Sequence, residues 1–329
     1  MQEMVDRYLA ILRVENGMEF GGMTLFPLSR DGTSPLRYRV LSETLDDGSV
    51  EVREKPWASV PELWLVNRSD DMVFVMDGEE VIGGKQNRMV NASFLIAPRS
   101  ELMLPVTCVE HGRWHDVGPR FAPGEAAPSF LRMEKEEQVR IHLRSERRPR
   151  ADQGAVWEAI AARQREERFA SPTGALNDLY RHRAVSLAEY QRAFPYMDGA
   201  VGLAVALNGG MVGADLFDQP ATAAKLWDKL VRSYAVDADM AQRHEPVARE
   251  RAERLLKRVV AARWEQFPSI GLGTDLRLSG DGAIGSALLY EGTVVHMTIF
   301  RIHRRHSQGE HGGIASASAR RRMHFRTET

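Results

Sequence analysis

Between residues 60 and 109 the chain carries short apolar runs at 63–66, 72–76, 81–82, 89–96 and 102–109, separated by Asn67-Arg68-Ser69-Asp70, Asp77-Gly78, Gly83-Gly84 and Pro98-Arg99-Ser100. Connections this short cannot hold crossover helices, so the strands they join must run antiparallel. The spacing by itself therefore points to an antiparallel sandwich or barrel-like core. Asp77-Gly78 reads as a hairpin turn, because both central residues of the favoured two-residue turn take positive φ.

The flanking segments add helices. Apolar side chains at helical spacing over 3–14, ahead of Gly17, predict a docking helix; 21–27 reads as a strand, 41–46 as a helical turn and 50–53 as an alternating, half-buried strand. Past Trp114 the pattern weakens through a loop at 118–128, and the heavily charged stretch 130–150 reads as a solvated connector. Asp152 is placed to cap a helix, and 176–180 and 187–194 are helical. A second hairpin is expected about Asn208-Gly209, between 200–207 and 211–216. Its sequence, GLAVALNGGMVGAD, resembles VFVMDGEEVIGG, a signal of internal duplication. Helices over 222–238 and 246–266 and strands over 269–278, 283–290 and 293–301 complete the pattern. The expected class is α+β: a β-rich part at about 20–117, a helical connector at about 126–195 and a second β/α part at about 196–302, all in one domain spanning 1–302. The Arg- and His-rich residues 303–329 lack the apolar content of a core and read as a disordered basic tail.

Charge excludes some functions. The 44 Lys and Arg residues nearly cancel the 45 Asp and Glu, so no global field attracts nucleic acid or an acidic membrane. The single cysteine rules out an internal disulfide framework and paired-cysteine zinc sites, and it fits a reducing, cytoplasmic setting. No run of eighteen apolar residues and no secretory pattern at the N-terminus is present, so neither membrane spanning nor secretion is expected.

The polar residues that could do chemistry cluster between Asp77 and Trp114. Glu79 and Glu80 are adjacent, so on a strand they face opposite sides and one of them, Glu80, is preferred for a shared site. Gln86 and Arg88 share a face on an extended backbone. Arginine offers a planar charged fork to phosphate or carboxylate, and glutamine offers a donor and an acceptor to a ribose, an amide or a base edge. Lys85 and Arg113 are further anion contacts, Trp114 a stacking surface, and Glu110 the second acid/base candidate. Structural readings stand beside these: Glu80 pairing with Arg88, or Gln86 and Arg88 satisfying a bulge near Gly83-Gly84. Cys108, inside an apolar run, reads as core rather than nucleophile, and His111 and His115 straddle Gly112, which argues against a helical metal pair. Asp215, Asp275 and His296 interrupt apolar segments and are expected to be structural.

Five segments resemble the ARG and rhodanese-phosphatase-superfamily-associated protein domain: LWLVNRSDDMVFVMDGEEVIGGKQNR, LPVTCVEHGRW, NGGMVGADLFDQPATAAKLWDKLVRSYAVDA, SIGLGTDLRLSG and VVHMTIF. The resemblance spans about residues 20–302. It implies a β-rich fold, functional positions at Glu80, Gln86 and Arg88, and a link to ADP-ribose metabolism, since ARG denotes ADP-ribosylglycohydrolase. The resulting expectation is a protein that binds, and as an enzyme hydrolyses, an ADP-ribose or NAD-like nucleotide derivative. Glu80 and Glu110 would be catalytic and Lys85, Gln86, Arg88 and Arg113 would hold the ligand. The alternative is a non-catalytic ligand-sensing or protein-interaction module; no cofactor or metal is indicated by either.

Overall fold

The computed structural model describes residues 1–55, 61–118, 120–240, 245–260, 262–280 and 282–302. The basic tail, and with it the expectation of disorder, lies outside the described residues. The fold is α+β and β-rich, as the spacing predicts, and its strands are almost all antiparallel. Tyr38–Val40 beside Met72–Val75 is a parallel pair.

The largest sheet joins both ends of the sequence. Its strands run in the order Arg13–Val14, Met23–Ser29, Ala200–Leu207, Gly210–Phe217, Thr293–Arg301, Ala283–Tyr290, Thr274–Gly280 and Arg263–Pro268, with Met18–Phe20 also paired to Met23–Ser29. The strand predicted at 21–27 thus belongs with the later β segments, not with 60–109. It pairs along its length with Ala200–Leu207. The remaining strands form two smaller sheets. One has Phe94–Ile96, Met72–Val75 and Tyr38–Val40 in that order; the other has Ala122–Ala126, Glu79–Ile82, Arg88–Val90, Ser100–Cys108, Glu62–Asn67 and Val50–Arg53. Val73, Val75, Val81, Val90, Phe94 and Val106 pack between the two.

Asn208-Gly209 makes its hairpin turn with both residues at positive φ, 50° and 77°. Asp77-Gly78 does not. Met72–Val75 and Glu79–Ile82 lie in different sheets, so this turn carries the chain from one sheet to the other, with Gly78 at φ 81°. The two runs that look like copies therefore have different structures, and the duplication signal fails. The helix expected over 246–266 is Arg249–Val260, and Arg263–Pro268 is an edge strand.

The large sheet buries both faces. Helices Gln2–Ala10 and Arg249–Val260 cover one face, over Ala204, Leu216, Leu276 and Met297. On the other, Pro220–Ala235 packs on Ala200–Leu207 and Ser129–Glu146 on Ala283–Tyr290. Close packing here depends on glycine. A Cβ at Gly202 would lie 2.2 Å from the backbone oxygen of Asp215, and one at Gly285 would lie 2.2 Å from that of Thr298. Backbone atoms inside a sheet cannot yield as a flexible side chain can. We expect Gly202→Ala to destabilise the fold by about 1–3 kcal/mol, the usual cost of overpacking, read as a lowered midpoint in urea denaturation; an unchanged midpoint would contradict the packing described.

Candidate functional site

The stretch 130–150, expected to be a solvated connector, begins with the 18-residue helix Ser129–Glu146, and Arg132, Lys135 and Glu136 on it are fully buried. Their spacing of three and four places them on one stripe with Leu131, Val139 and Leu143, where apolar residues normally sit. The sheet facing them explains why charges replace apolar groups. Across four strands Arg277, Ser286, Thr298 and Asp215 are successive partners, so their side chains share one face. Two residues along on the same face lie Asp275 and His296.

Arg132 grips Asp215 with both nitrogens of its fork, at 3.0 and 2.6 Å, and Tyr234 donates to the same carboxylate at 2.8 Å. Burial opposes ionisation of Asp215, but Arg132 and His296 outweigh it and hold the carboxyl well below its usual range. His296 shares a hydrogen bond with Ser93 at 2.8 Å, and Ser93 accepts from the backbone nitrogen of Asp77. Lys135 binds the Asp77 carboxylate and donates to the Asn91 carbonyl at 2.9 Å. Arg277 bridges Glu136 at 2.9 Å and Asp275 at 2.7 and 2.8 Å. Asp215, Asp275 and His296 are thus joined in one buried ionic network. It ties the sheets through Ser129–Glu146.

The second cluster surrounds the strand Glu79–Ile82 and the turn at 83–87. Glu79 is structural: it accepts from the Met76 backbone at 2.9 Å and from Lys229 at 3.0 Å. Glu80 is different. It is 1% exposed, receives a long contact of 3.5 Å from the Asn177 amide, and its Oε1 has no hydrogen-bond partner among the described residues. Burial pushes its pKa up to about 8, and the nearby Glu125 and Glu110 carboxylates add to the rise. At neutral pH Glu80 therefore keeps its proton.

Glu110 takes the opposite course. Burial opposes its charge, but donors from Arg113 at 2.6 Å, the Asn87 backbone at 3.1 Å and Thr173 at 2.9 Å outweigh burial and lower its pKa. Sheet register separates other residues that the sequence reading grouped. Glu80 pairs with Met89 and Arg88 with Val81, so Glu80 and Arg88 face opposite sides of the sheet and do not share a site. Nor does Arg88 pair with Glu80: it donates to the Gln86 carbonyl at 2.7 Å and to Glu54 at 3.4 Å. Arg113 donates to the carbonyls of Gly83, Gly84 and His115, to the Asn87 side chain and to Glu110. It fastens the turn rather than standing open to an anion.

Among the described residues, two of the expected ligand contacts keep free donors. The Lys85 ammonium lies 5.5 Å from the centre of the Trp114 ring, which is 53% exposed. The Gln86 amide makes one weak contact, 3.5 Å to the His111 carbonyl. Cys108 is buried, and burial raises its pKa to about 11, so it stays a thiol. His111 packs edge-on against Trp157 at 4.4 Å. The sequence reading missed Thr173, from the loop ahead of helix Leu176–His182, and Asn177, from that helix; only the long-range hydrogen bonds single them out. Among the described residues no group of His, Cys, Asp and Glu is arranged to hold a metal ion, and no helix is long and apolar enough to cross a membrane.

Fold and site together define a β-rich α+β protein with a protonated carboxyl beside an ionised one. The family model of the ARG and Rhodanese-Phosphatase-superfamily-associated Protein domain, ARPP-1, matches residues 11–300, and the chain belongs to this family. Comparison with curated proteins and with solved structures found no significant match.

Proposed function

We propose that the chain binds a nucleotide derivative of the ADP-ribose or NAD class beside the turn at 83–87 and hydrolyses its ribosyl bond. The observation that carries this reading is the opposite displacement of two neighbouring carboxyls, Glu80 upward to about 8 and Glu110 downward. Environments that push two carboxyls apart in this way assign acid and ionised roles to them. Glu80 gives its proton to the leaving group as the glycosidic bond breaks. Water then adds to the anomeric carbon and returns a proton to Glu80. Both oxygens of Glu110 are engaged, so it acts as a fixed negative charge opposite the developing cation rather than as a nucleophile. Lys85 holds a phosphate, Trp114 stacks on the base and Gln86 meets a ribose hydroxyl. Arg88 and Arg113 position the turn. The family's name, which ties it to ADP-ribosylglycohydrolase by association, supports the ligand class.

Thermal-shift measurements with ADP-ribose, NAD and ADP, followed by chromatographic analysis of products, test the proposal. ADP-ribose or NAD should raise the melting temperature, and wild type should release product. Glu80→Gln should still bind but turn over about 100-fold or more slowly, the usual value of a positioned general acid. No shift with any nucleotide would sink the proposal. Binding without turnover would move the protein to the alternative class, a ligand-sensing module.

A further inference from the structure

We propose that the cavity bounded by Arg251, Arg254, Arg258 and Arg301 binds a small molecule through a diphosphate or triphosphate group. The first three side chains follow one another at i, i+3 and i+7 on helix Arg249–Val260, hence on one face. Arg301 comes from the end of strand Thr293–Arg301, and Leu255 adds an apolar patch, enclosing about 250 Å³. The helix lies on the face of the large sheet away from Ser129–Glu146, so this site stands apart from the Glu80 cluster and does not depend on the function proposed for it.

Four guanidinium groups around so small a space repel one another. Among the described residues no carboxylate pairs with Arg251, Arg254 or Arg301, and Arg251 donates only to the Gly209 carbonyl, at 2.8 Å. The acid on this helix that does pair, Glu253, meets Arg249 at 3.5 Å and lines a different groove, beside Leu9 and Leu12. Burial and then the charges of Arg258, Arg251 and Arg254 lower the pKa of Arg301, as expected where guanidinium groups converge. Guanidinium forks match phosphate oxygens two at a time, and they need a ligand with more than one negative charge to balance the cluster. A single carboxylate leaves most of the positive charge uncompensated. The volume admits two linked phosphate groups rather than a folded polymer.

Calorimetric titration of the full-length protein with inorganic pyrophosphate tests the assignment. Saturable binding at one site per chain is expected, at least about tenfold weaker in Arg254→Gln, as for loss of one charged hydrogen-bonding group, and weaker again in Arg254→Gln/Arg301→Gln. Arg254 is exposed, so its variant should fold, and an unchanged circular dichroism melt confirms it. Acetate should not compete. The proposal is overturned if pyrophosphate fails to bind at millimolar concentration, if both cavity variants bind as wild type does, or if acetate competes equally. Tighter binding of a single-stranded RNA oligomer, lost in the same two variants, would replace the small phosphate with a nucleic-acid backbone as the ligand.

Discussion

Replacing Arg132 with methionine lowers the stability of this protein by about 3–5 kcal/mol, the cost of leaving the partner of a buried ion pair without compensation. The partner is Asp215, which is fully buried and loses two hydrogen bonds when the fork of Arg132 is removed, keeping only Tyr234 and the more distant His296. Removing the second charge should restore much of the loss. A double variant, Arg132→Met/Asp215→Leu, puts apolar groups on both sides of the contact, and replacing a whole buried pair in this way is often neutral or stabilising. Urea denaturation of the two single variants, Arg132→Met and Asp215→Leu, and of the double variant forms a complete cycle. If Arg132→Met melts within about 1 kcal/mol of wild type, the network is not what ties Ser129–Glu146 to the sheet.

A second large effect concerns pH. In the unfolded chain Glu80 titrates near the ordinary glutamate value of 4.5, and burial raises it to about 8 in the fold. Between those values the folded protein retains a proton that the unfolded chain has released, so stability falls as pH rises. The contribution is fully present below about 4.5 and is lost as pH climbs through 8, at about 1.4 kcal/mol per unit of displacement, which sums to several kcal/mol. Asp77 and Asp218 are also raised by burial, to about 6, and slope in the same direction. The difference between wild type and Glu80→Gln isolates Glu80, because the amide cannot titrate. Denaturation at pH 5, 7 and 9 should show Glu80→Gln gaining on wild type at each step. Parallel profiles would mean that Glu80 is ionised in the fold.

Local pattern revealed much of the architecture. Alternation marks Val50–Arg53, helical spacing marks Leu41–Asp46, and Asn208-Gly209 marks its hairpin, because each depends on near neighbours along the chain. Features set by distant partners did not show. Asp77-Gly78 looks like a hairpin turn until the pairing of Met72–Val75 with Phe94–Ile96 is known. Arg132, Lys135 and Glu136 look solvated until a row of polar residues from four other strands is laid against them, and that row exists only once the register is fixed. Even so, charges at 132, 135 and 136 share a helical stripe with Leu131, Val139 and Leu143, and that is a readable sign of burial.

The same division holds for the candidate site. Glu80 and Glu110 stood out as carboxylates beside apolar strands, but residue type could not give them opposite pKa displacements. Those come from the burial of one with only a weak Asn177 contact, and from the Arg113, Asn87 and Thr173 donors of the other. Counting along an extended backbone puts Gln86 and Arg88 on one face, and the choice of Glu80 over Glu79 adds Glu80 to their site. The backbone turns at Gly83-Gly84, with φ of 145° and 51°, and the return strand sets Arg88 on the far side of the sheet.

Carboxyl-carbon NMR titration of the wild-type protein, with Glu80 and Glu110 assigned by comparison with Glu80→Gln and Glu110→Gln, tests the account most directly. Glu80 should show an inflection near pH 8 while Glu110 remains ionised to below the usual carboxylate range. If both carboxyls titrate together at ordinary glutamate values, Glu80 is not a proton donor at neutral pH and the acid and ionised roles assigned here are wrong.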